Sequence, residues 1–389
     1  MIKKKIAILG STGSIGKTLI NIIKKDKKDF EIVLLAADGN YKELLKQAKY
    51  FKVKNLIITN QDSFLKIKKD KYAKNIQIFN NFNNFKKIFK KKIDYTMSSI
   101  MGIQGLRPTI DIIKYSKKIA IANKESIICG WDLIEKNLKK YKTQFIPVDS
   151  EHFSIWYALR DTDKNLIDKI YITASGGPFL NLPLNKIKKA NIKQAINHPN
   201  WKMGKKISVD SATMMNKVFE IIEAKKIFNL SYKKISILVH PKSYVHAIIK
   251  FKNGLTKLVL HDTNMSIPIA NSLYSSRKHI NSKNLDFNIL NNLDFREIDY
   301  NKFPLTKILN ILPEKSSLFE SILVSSNDKL VEYFLNKKIK FTDIQKFLFK
   351  IINFNEFKTL KSRKIKNIAQ IISLNEIVNS KITKIVYKQ

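Results

Sequence analysis

The stretch IAILGSTGSIG, residues 6–16, decides how the N-terminal part of the chain folds. Four apolar residues lead into a turn with three glycines, and a helical segment follows the turn. Glycines let the backbone approach a pyrophosphate, and a helix N-terminus favours its negative charge. A glycine-rich turn can also bind nothing. Its position directly after the first strand favours a dinucleotide site.

Further short apolar runs follow this strand, separated by helical segments. The predicted strands are residues 32–37, 56–58, 76–79, 95–100, 119–122 and 145–148. Mostly apolar strands alternating with helices are typical of a parallel sheet that is covered on both faces. We therefore predict an α/β protein with a doubly wound, Rossmann-like parallel sheet over residues 1–148.

The pattern changes after Asp149. Strands are predicted at residues 169–173 and 235–239, a helix at 214–228, and a hairpin of 244–251 with 255–261 around Asn253-Gly254. This combination predicts a central α+β catalytic domain over residues 149–274. The Pro- and Gly-containing residues 176–207 are predicted to form a mobile flap within it.

The last part of the chain is predicted to be helical. Residues 275–301 are polar and irregular, which predicts a linker. In residues 302–389 apolar side chains recur at helical spacing, as in Ile344, Phe347, Leu348 and Ile351. We predict a separate helical domain there.

The charge of the chain is strongly positive. Its 389 residues include 72 Lys+Arg and 32 Asp+Glu, for a formal net charge of +40. Such a charge can indicate nucleic-acid binding, but these basic residues are nearly all lysines spread along the chain, whereas base-reading interfaces use clustered arginines. We therefore favour a compositional origin and expect no specific nucleic-acid partner.

Cysteine usage and hydropathy exclude other classes. Cys129 is the single cysteine, which excludes a disulfide framework and a multi-cysteine metal site. No apolar run approaches the roughly 18 residues of a membrane helix, and we see no targeting segment. We expect a cytoplasmic protein without a membrane partner.

Three polar motifs follow predicted strands, where ligands bind in open α/β sheets. Asp38-Gly39-Asn40 follows residues 32–37, and its acid favours NAD over NADP, while the nearby Lys42 argues weakly for NADP. Asn123-Lys124-Glu125 offers a lysine to an anionic substrate or is only a charged loop. Asp149-Ser150-Glu151 places two carboxylates on one side of an extended chain, where Mg²⁺ or Mn²⁺ can bind.

A fourth motif is expected on a helix. Within residues 211–220, SATMMNKVFE, Asn216 and Lys217 would share a helix face with Glu220, and Ser211 would lie near the helix N-terminus. Asn and Lys can bind a phosphate, and Glu220 can be a third metal ligand. Taken alone, the segment favours the plain interpretation, a capping serine followed by a helix with a polar face.

The predicted flap has hinge-forming glycines at its start, in Ser175-Gly176-Gly177-Pro178. Its end, HPNWKMG at 198–204, supplies an apolar cover in Trp201 and Met203, and His198 can contact substrate. Such covers exclude water from a hydride-transfer site. His240 and His246 are interpreted as structural.

Together these motifs closely resemble the 1-deoxy-D-xylulose 5-phosphate reductoisomerase family. The resemblance rests on GSTGSIG, ANKES, PVDSEH, ASGGPF and HPNWKMGKKISVDSATMMNK, in that order, with HPKSYVHAIIKF after them. It implies a homodimer that needs NADPH and Mg²⁺ or Mn²⁺. It also implies a Rossmann-like domain, a catalytic α+β domain and a C-terminal helical bundle.

The resemblance also implies an activity. The family rearranges 1-deoxy-D-xylulose 5-phosphate, a sugar phosphate, by carbon-carbon cleavage and re-addition. It then reduces the resulting aldehyde with NADPH to 2-C-methyl-D-erythritol 4-phosphate, an isoprenoid precursor.

The resemblance assigns roles to individual residues. The implied metal ligands are Asp149, Glu151 and Glu220, and together with Lys124 and His198 they are the implied catalytic residues. The implied substrate contacts are Lys124, Ser150, Glu151, Ser175, His198, Trp201, Met203, Ser211, Asn216, Lys217 and Glu220. The implied cofactor contacts are Thr12, Gly13, Ser14, Ile15, Gly39, Asn40, Asn123, Glu125 and Gly204.

Two departures and two alternatives stand beside this interpretation. The family has a glycine and a basic residue where this chain has Asp38-Gly39, and Gly-Glu-Pro-Asp-Met where it has residues 261–265, HDTNM. A semialdehyde dehydrogenase would need a catalytic cysteine, and Cys129 fits that role poorly because a helix is expected after Ser126. The other alternative is a nucleic-acid-binding protein that has kept the fold.

Overall fold

A computed structural model describes residues 3–274, 280 and 282–387 of the chain. Within them the strands are β1 (Lys4–Leu9), β2 (Phe30–Ala37), β3 (Asn55–Ile58), β4 (Gln77–Phe79), β5 (Ile93–Ser98), β6 (Ser116–Ile121), β7 (Gln144–Pro147), β8 (Ile167–Ala174), β9 (Ile235–Val239), β10 (Val245–Phe251) and β11 (Thr256–Leu260).

The α-helices connect and flank these strands. They are α1 (Ser14–Lys25), α2 (Tyr41–Phe51), α3 (Gln61–Lys68), α4 (Phe85–Ile88), α5 (Leu106–Ile113), α6 (Lys124–Tyr141), α7 (Ser150–Ala158), α8 (Leu184–Ile187), α9 (Ile192–Ile196), α10 (Lys205–Ala212), α11 (Met215–Phe228), α12 (Ser266–Leu273), α13 (Phe287–Asn291), α14 (Phe319–Leu335), α15 (Phe341–Ile352), α16 (Asn355–Lys358) and α17 (Ile368–Tyr387). Short 3₁₀ helices lie between these elements, and the longest among the described residues is Pro304–Ile311.

The first sheet confirms the predicted doubly wound architecture. Its seven strands run in the order β4-β3-β2-β1-β5-β6-β7, and every pairing is parallel. Strands β2 to β4 are added on one side of β1 and strands β5 to β7 on the other, so the strand order reverses between β1 and β5. Because ligands of open α/β sheets bind where the strand order reverses, beyond the carboxyl ends, this order marks the loop after β1 as the cofactor end of the sheet.

Apolar residues on both faces hold this sheet between its helices. Ile6 and Ile8 of β1 are fully buried with Leu35 and Leu56, and Leu19 of α1 packs against them. The predicted strands differ from the observed ones by a few residues at their ends. For example, β5 ends at Ser98 rather than at residue 100.

A second, four-stranded sheet forms the centre of the α+β region. Its order is β11-β10-β8-β9, with β10 antiparallel to both β8 and β11, and β8 parallel to β9. The hairpin predicted at Asn253-Gly254 is present, with Gly254 at a φ of +87°. Ile170, Ile172 and Ile249 of the sheet pack against Ile221 of α11, which fixes the helix that carries the predicted phosphate and metal residues.

The C-terminal residues are helical, as predicted. Helix α14 packs against α15 and α17. Ile344, Phe347, Leu348 and Ile351, which predicted a helix by their spacing, all point from α15 into the core. Among the described residues, no helix combines the length and the apolarity that crossing a bilayer requires.

Contacts within the chain divide it into two compact units. The first comprises Met1–Ser126, Leu133–Asp149 and Met265–Asn281; the second comprises Ile127–Asp132, Ser150–Asn264 and Ser282–Gln389. Residues 275–279 and 281 of the predicted linker lie outside the described residues. Its later part contains α13, and Arg296 pairs with Val239 in an antiparallel bridge. The predicted boundaries of three domains stay a prediction.

Candidate active site

The glycine-rich turn joins β1 to α1. Gly10 has a φ of +86°, and a Cβ there would lie 2.7 Å from the Ser99 carbonyl oxygen. A Cβ on Gly16 would lie 2.3 Å from the Gly10 carbonyl oxygen, so these two glycines are required by packing. Gly13 is different, because its Cβ would meet only the Gly10 oxygen at an ordinary 3.5 Å. The open side of the turn is therefore at Gly13.

The amides of the first turn of α1 suit a pyrophosphate. Gly13 is the N-cap of α1 and has no side chain to cap it. No N-cap side chain therefore accepts a hydrogen bond from the first backbone amides of the helix. The predicted contacts Thr12, Ser14 and Ile15 surround this cap. Exposed amides and the positive end of a helix dipole are the groups that bind a dinucleotide phosphate, so the turn fits the cofactor.

The loop after β2 is largely held by its own hydrogen bonds. Asn40 caps α2 by accepting from the Glu43 amide at 3.2 Å, and the Gly39 carbonyl accepts from Ser63. Asp38 is exposed and accepts from the Thr59 hydroxyl at 2.7 Å. The Asn40 side chain thus has a structural task beside its predicted cofactor contact.

Asn123 and Lys124 occupy the start of α6, at the carboxyl end of β6. The Asn123 amide oxygen caps the helix by accepting from the Ser126 amide at 2.6 Å. The Lys124 ammonium lies 3.1 Å from the Asp149 carboxylate. This pairing fixes Lys124 at the acidic motif rather than leaving it a solvated loop charge. Glu125 is buried in the first turn of α6.

Two of the three carboxylates predicted to bind a metal come together. Glu151 and Glu220 both lie within hydrogen-bonding distance of the Lys217 ammonium. The expectation of an extended chain through Asp149-Ser150-Glu151 is wrong, because α7 begins at Ser150 and places Glu151 in its first turn. Carboxylate oxygens are hard donors of the kind that Mg²⁺ or Mn²⁺ prefers.

Lys217 lies among the same carboxylates. Its ammonium is 2.8 Å from Glu151 and 2.5 Å from Glu220, and it donates to the Thr173 carbonyl at 2.6 Å. Asn216 donates its amide to the other Glu220 oxygen. The predicted face of Asn216, Lys217 and Glu220 on one helix is therefore present, and it is directed at the carboxylates.

Burial and charge act in opposite directions on Lys217. Burial by itself would lower its pKa, but the carboxylates of Glu151 and Glu220 and their hydrogen bonds raise the pKa above the usual value. Lys217 is therefore firmly cationic. Its ammonium compensates part of the negative charge that the acidic motif concentrates.

Ser175 and His198 connect the two ends of the predicted flap. His198 Nδ1 accepts from the amides of Asn200 at 3.1 Å and Trp201 at 3.0 Å. The ring proton must therefore sit on Nε2, which donates to the Ser175 hydroxyl at 2.9 Å. The Gly177 amide also donates to that hydroxyl, at 3.1 Å. With both donors pointing at its oxygen, Ser175 has its own O–H left to give to an anion.

Protonating His198 would break this arrangement. A proton on Nδ1 would displace the two amides that donate to it. Burial, followed by the positive charge of Lys217, lowers the pKa of His198 to about 4. His198 is therefore neutral at physiological pH.

The flap segment is partly helical, since it contains α8 and α9. At its end Asn200 donates to the Pro241 carbonyl at 2.6 Å and to Ser243, while the Trp201 ring lies edge-on to His246 with centroids 6.0 Å apart. Trp201 and Met203 are half-buried, and Gly204 is the exposed N-cap of α10. The mobility of the flap stays a prediction.

Ser211 differs in detail from its expected place. It lies in the last turn of α10 instead of at the N-terminus of the next helix, because Met214 takes a φ of +61° and separates α10 from α11. A Cβ on Gly177 would come within 2.7 Å of the Ser211 carbonyl. The start of the flap therefore packs directly on Ser211, one of the implied substrate contacts.

His152 and Glu223 were not among the predicted site residues. His152 is fully buried, its Nε2 lies 2.9 Å from the Glu220 carbonyl, and its Nδ1 lies 3.9 Å from the Glu223 carboxylate. In the sequence, only their positions point to these two residues. His152 follows Glu151, and Glu223 lies one helical turn after Glu220.

Cys129 is buried inside α6. This placement agrees with the expected helix and makes the semialdehyde dehydrogenase alternative unsuitable, because a nucleophilic cysteine must reach its substrate.

Comparisons with known proteins give one consistent result. A family model described as 1-deoxy-D-xylulose 5-phosphate reductoisomerase matches residues 6–130, and models of its C-terminal domains match 145–228 and 260–380. The reductoisomerase of Pelagibacter ubique is 60% identical over 98% of this chain and 99% of its own. That of a Sulfurihydrogenibium species is 36% identical over 92% and 93%.

Solved structures agree in fold. A reductoisomerase in complex with NADPH, fosmidomycin and magnesium has a TM-score of 0.90 and 30% identity, covering 99% of this chain and 98% of that one. The Zymomonas mobilis enzyme in complex with NADPH has a TM-score of 0.85 and 27% identity over the same shares.

Proposed function

The chain belongs to the 1-deoxy-D-xylulose 5-phosphate reductoisomerase family, and we propose that Asp149, Glu151 and Glu220 hold the divalent metal of its reaction. The chain is an NADPH- and metal-dependent oxidoreductase that converts 1-deoxy-D-xylulose 5-phosphate to 2-C-methyl-D-erythritol 4-phosphate in isoprenoid precursor biosynthesis. The observation that carries the residue assignment is the convergence of Glu151 and Glu220 on the Lys217 ammonium.

The metal site is supported by the chemistry of its donors. When bound, Mg²⁺ or Mn²⁺ supplies a Lewis acid that polarises a substrate carbonyl and orients its neighbouring hydroxyl. Glu151 and Glu220 are held for this task from two helices, α7 and α11. Lys124 stays within reach of Asp149 and can donate to substrate oxygens on that side.

The substrate phosphate is assigned to Ser175, Ser211, Asn216 and Lys217. The hydroxyl of Ser175 supports this, since His198 and Gly177 use its oxygen and leave its proton to donate. Lys217 gives all three of its ammonium hydrogens to Glu151, Glu220 and Thr173. To bind the phosphate, Lys217 would exchange one of these contacts, and a metal held by the carboxylates would supply the positive charge that the exchange requires.

The cofactor is assigned to the turn of residues 10–16, with its phosphates at the α1 N-terminus. NADPH supplies the hydride that reduces the rearranged aldehyde. Trp201 and Met203 exclude water by covering the substrate, and His198 keeps the flap end attached to Ser175. Ser150 is assigned a substrate contact, and its hydroxyl donates to the Glu151 carboxylate at 2.5 Å.

The test is oxidation of NADPH by the purified protein with 1-deoxy-D-xylulose 5-phosphate and Mg²⁺ or Mn²⁺. Mixtures with NADH and mixtures without metal serve as controls. We expect metal-dependent oxidation that prefers NADPH, and replacing Asp38 with Ala should increase that preference because it removes a negative charge near the 2′-phosphate. Faster oxidation of NADH would overturn the cofactor preference. No oxidation by a folded protein would overturn the catalytic assignment.

We further propose that the protein is a homodimer and that it is cytoplasmic. The family resemblance supports the dimer, and so does β11, an edge strand of the second sheet beside which Leu255 and Leu258 are exposed. Exposed apolar side chains at a sheet edge favour association with another chain. Sedimentation equilibrium would give twice the 45.1 kDa chain mass, and a monomer at micromolar concentration would refute the dimer.

A further inference from the structure

A buried carboxylate lies next to the predicted phosphate ligand Ser211. Asp210 of α10 is only 1% exposed. One of its oxygens accepts from the Asn327 amide at 2.7 Å, and the other lies 2.9 Å from the Lys206 ammonium. Asn327, on α14, is fully buried. Asp210, which directly precedes Ser211, is thus anchored to Asn327, 117 residues further along the chain.

Lys206 extends the anchor into a network. Its ammonium also lies 2.9 Å from Asp328, the residue after Asn327 on α14. Two adjacent residues of α14 therefore hold two residues of α10 that lie one helical turn apart. Two contacts one turn apart fix both the rotation of α10 and its position along its axis.

Stability alone gives little reason for this arrangement. A buried ion pair is often no more stabilising than apolar side chains of the same volume, because both charges lose their hydration. Hydrogen-bonded buried groups do, however, select one packing over its neighbours. Here the selected packing matters for Ser211, because a small shift of α10 would press the Ser211 carbonyl against Gly177.

We propose that Asp210 is a positioning residue for substrate binding: held by Asn327 and Lys206, it sets the rotation of α10 and thereby the place of Ser211 and of the flap start that packs on it. The proposal rests on the proposed function, since it assumes that Ser211 contacts the substrate phosphate. Asp210 itself touches no substrate. Its loss should therefore weaken substrate binding more than it slows the chemical step.

The test exchanges the two partners. Asn327→Asp places two buried carboxylates against each other and should raise the KM for 1-deoxy-D-xylulose 5-phosphate about tenfold with kcat little changed, since misplacing a binding group costs binding first. Adding Asp210→Asn restores one carboxylate and one amide and should return KM to near the wild-type value. Asn327→Leu introduces no repulsion and replaces Asn327→Asp in the experiment if that variant fails to fold. It should also raise the KM.

A matched control separates position from stability. Glu320 is also buried on α14 and pairs with Lys226 of α11 at 3.3 Å, away from α10. Glu320→Gln should lower Tm without changing KM. The inference is wrong if Asn327→Asp and Asn327→Leu leave KM unchanged, if the double variant does not recover, or if Glu320→Gln raises KM equally.

A binding measurement keeps this inference distinct from the proposed function. Titration with inorganic phosphate reports the phosphate site without turnover, and Asn327→Asp should weaken it about tenfold relative to wild type. An inactive wild-type protein whose phosphate affinity still falls in Asn327→Asp would refute the catalytic function and keep the anchor. An active wild-type protein with equal phosphate affinity in both would refute the anchor and keep the function.

Discussion

At the scale of single residues, the site depends on how the charges of its carboxylates are balanced. Glu151 and Glu220 are brought within hydrogen-bonding distance of one ammonium, that of Lys217. Like charges at this spacing repel strongly in a buried site, so a cation is needed to hold them together. Lys217 supplies one positive charge, and a divalent metal would supply two.

The two buried glutamates of α11 allow the metal assignment to be tested. We expect Glu220→Gln to lower kcat about 100-fold or more, because it removes a hard anionic ligand from the metal. Its Tm should change little, since Lys217 keeps its contact with Glu151. Steady-state kinetics over a range of Mg²⁺ concentrations, together with thermal unfolding, would measure both.

Glu223→Gln is the matched control, because Glu223 is equally buried one turn further along the helix. It should cost much less activity and leave the Mg²⁺ dependence near normal. If Glu223→Gln proved as damaging as Glu220→Gln, the assignment of Glu220 as the metal ligand on α11 would be wrong.

His198 gives a prediction about stability and pH. Its pKa falls from 6.5 to about 4 on folding, first through burial and then through the charge of Lys217. Between pH 6.5 and about pH 4, His198 is protonated in the unfolded chain and neutral in the folded protein. The contribution of His198 to stability is therefore present above pH 6.5 and is lost as the pH falls towards 4.

We expect wild-type protein to lose more Tm between pH 7 and about pH 4.5 than His198→Gln does, because glutamine has no proton to take up in this range. Thermal unfolding of both proteins at several pH values would measure the difference. The buried histidines elsewhere in the fold are common to both proteins and cancel. If the Tm of the two proteins fell equally with pH, the pKa of His198 would not change on folding and the prediction would be wrong.

At the scale of elements, the site depends on how helices begin and end. Glu151 lies in the first turn of α7 and Lys124 at the first position of α6, both directly after strands of the first sheet. Ser211 lies in the last turn of α10, and Met214 divides that helix from α11. Each helix end presents one or two polar side chains that the strands alone could not align.

The junction of β1 and α1 gives the element-scale prediction. Gly16→Ala should destabilise the fold by about 2 kcal/mol or more, because its Cβ would overlap the backbone of the turn. Gly13→Ala should cost less than about 1 kcal/mol, because that side of the turn is open. Both variants should bind NADPH more weakly, Gly13→Ala because its methyl group faces the pyrophosphate.

Denaturant unfolding and fluorescence titration with NADPH would measure these effects separately. A stable Gly16→Ala protein would show that the turn has room to adjust. Unchanged NADPH affinity in Gly13→Ala would show that the cofactor phosphates do not approach this turn.

At the scale of the whole molecule, the dominant property is the net charge of +40. Both the substrate and NADPH are anions, and a positive protein accelerates their encounter by an amount that salt screens. The same charge gives weak, non-specific binding to any polyanion. The comparisons place the chain in an enzyme family and give no support to a nucleic-acid function.

We expect kcat/KM to fall about three- to tenfold as KCl rises from about 20 to about 300 mM, with kcat nearly constant, because screening slows association and leaves the chemistry alone. Initial rates at fixed Mg²⁺ would test this. Binding of an arbitrary DNA duplex should disappear over the same range. A DNA complex that persists at the higher salt concentration would contradict the compositional origin of the charge.

The sequence by itself determined most of the strands, several of the helices and the order of the motifs. These depend on local patterns: apolar runs such as residues 6–9, the hairpin turn at Asn253-Gly254, and the helical spacing of Ile344 with Ile351. The resemblance to a family added the site residues, because its motifs are long and specific. Their spacing alone left each of them with a plain structural alternative.

Only the tertiary structure decided which of these groups meet. Lys217 reaches Glu151 across 66 residues of chain, and Asp210 reaches Asn327 across 117. The sequence spacing predicted an extended chain at Asp149 and Glu151, whereas in the structure a helix begins at Ser150. The physical reason is that these contacts depend on how α7, α10, α11 and α14 pack, and packing energy is shared among side chains that no local window of sequence contains.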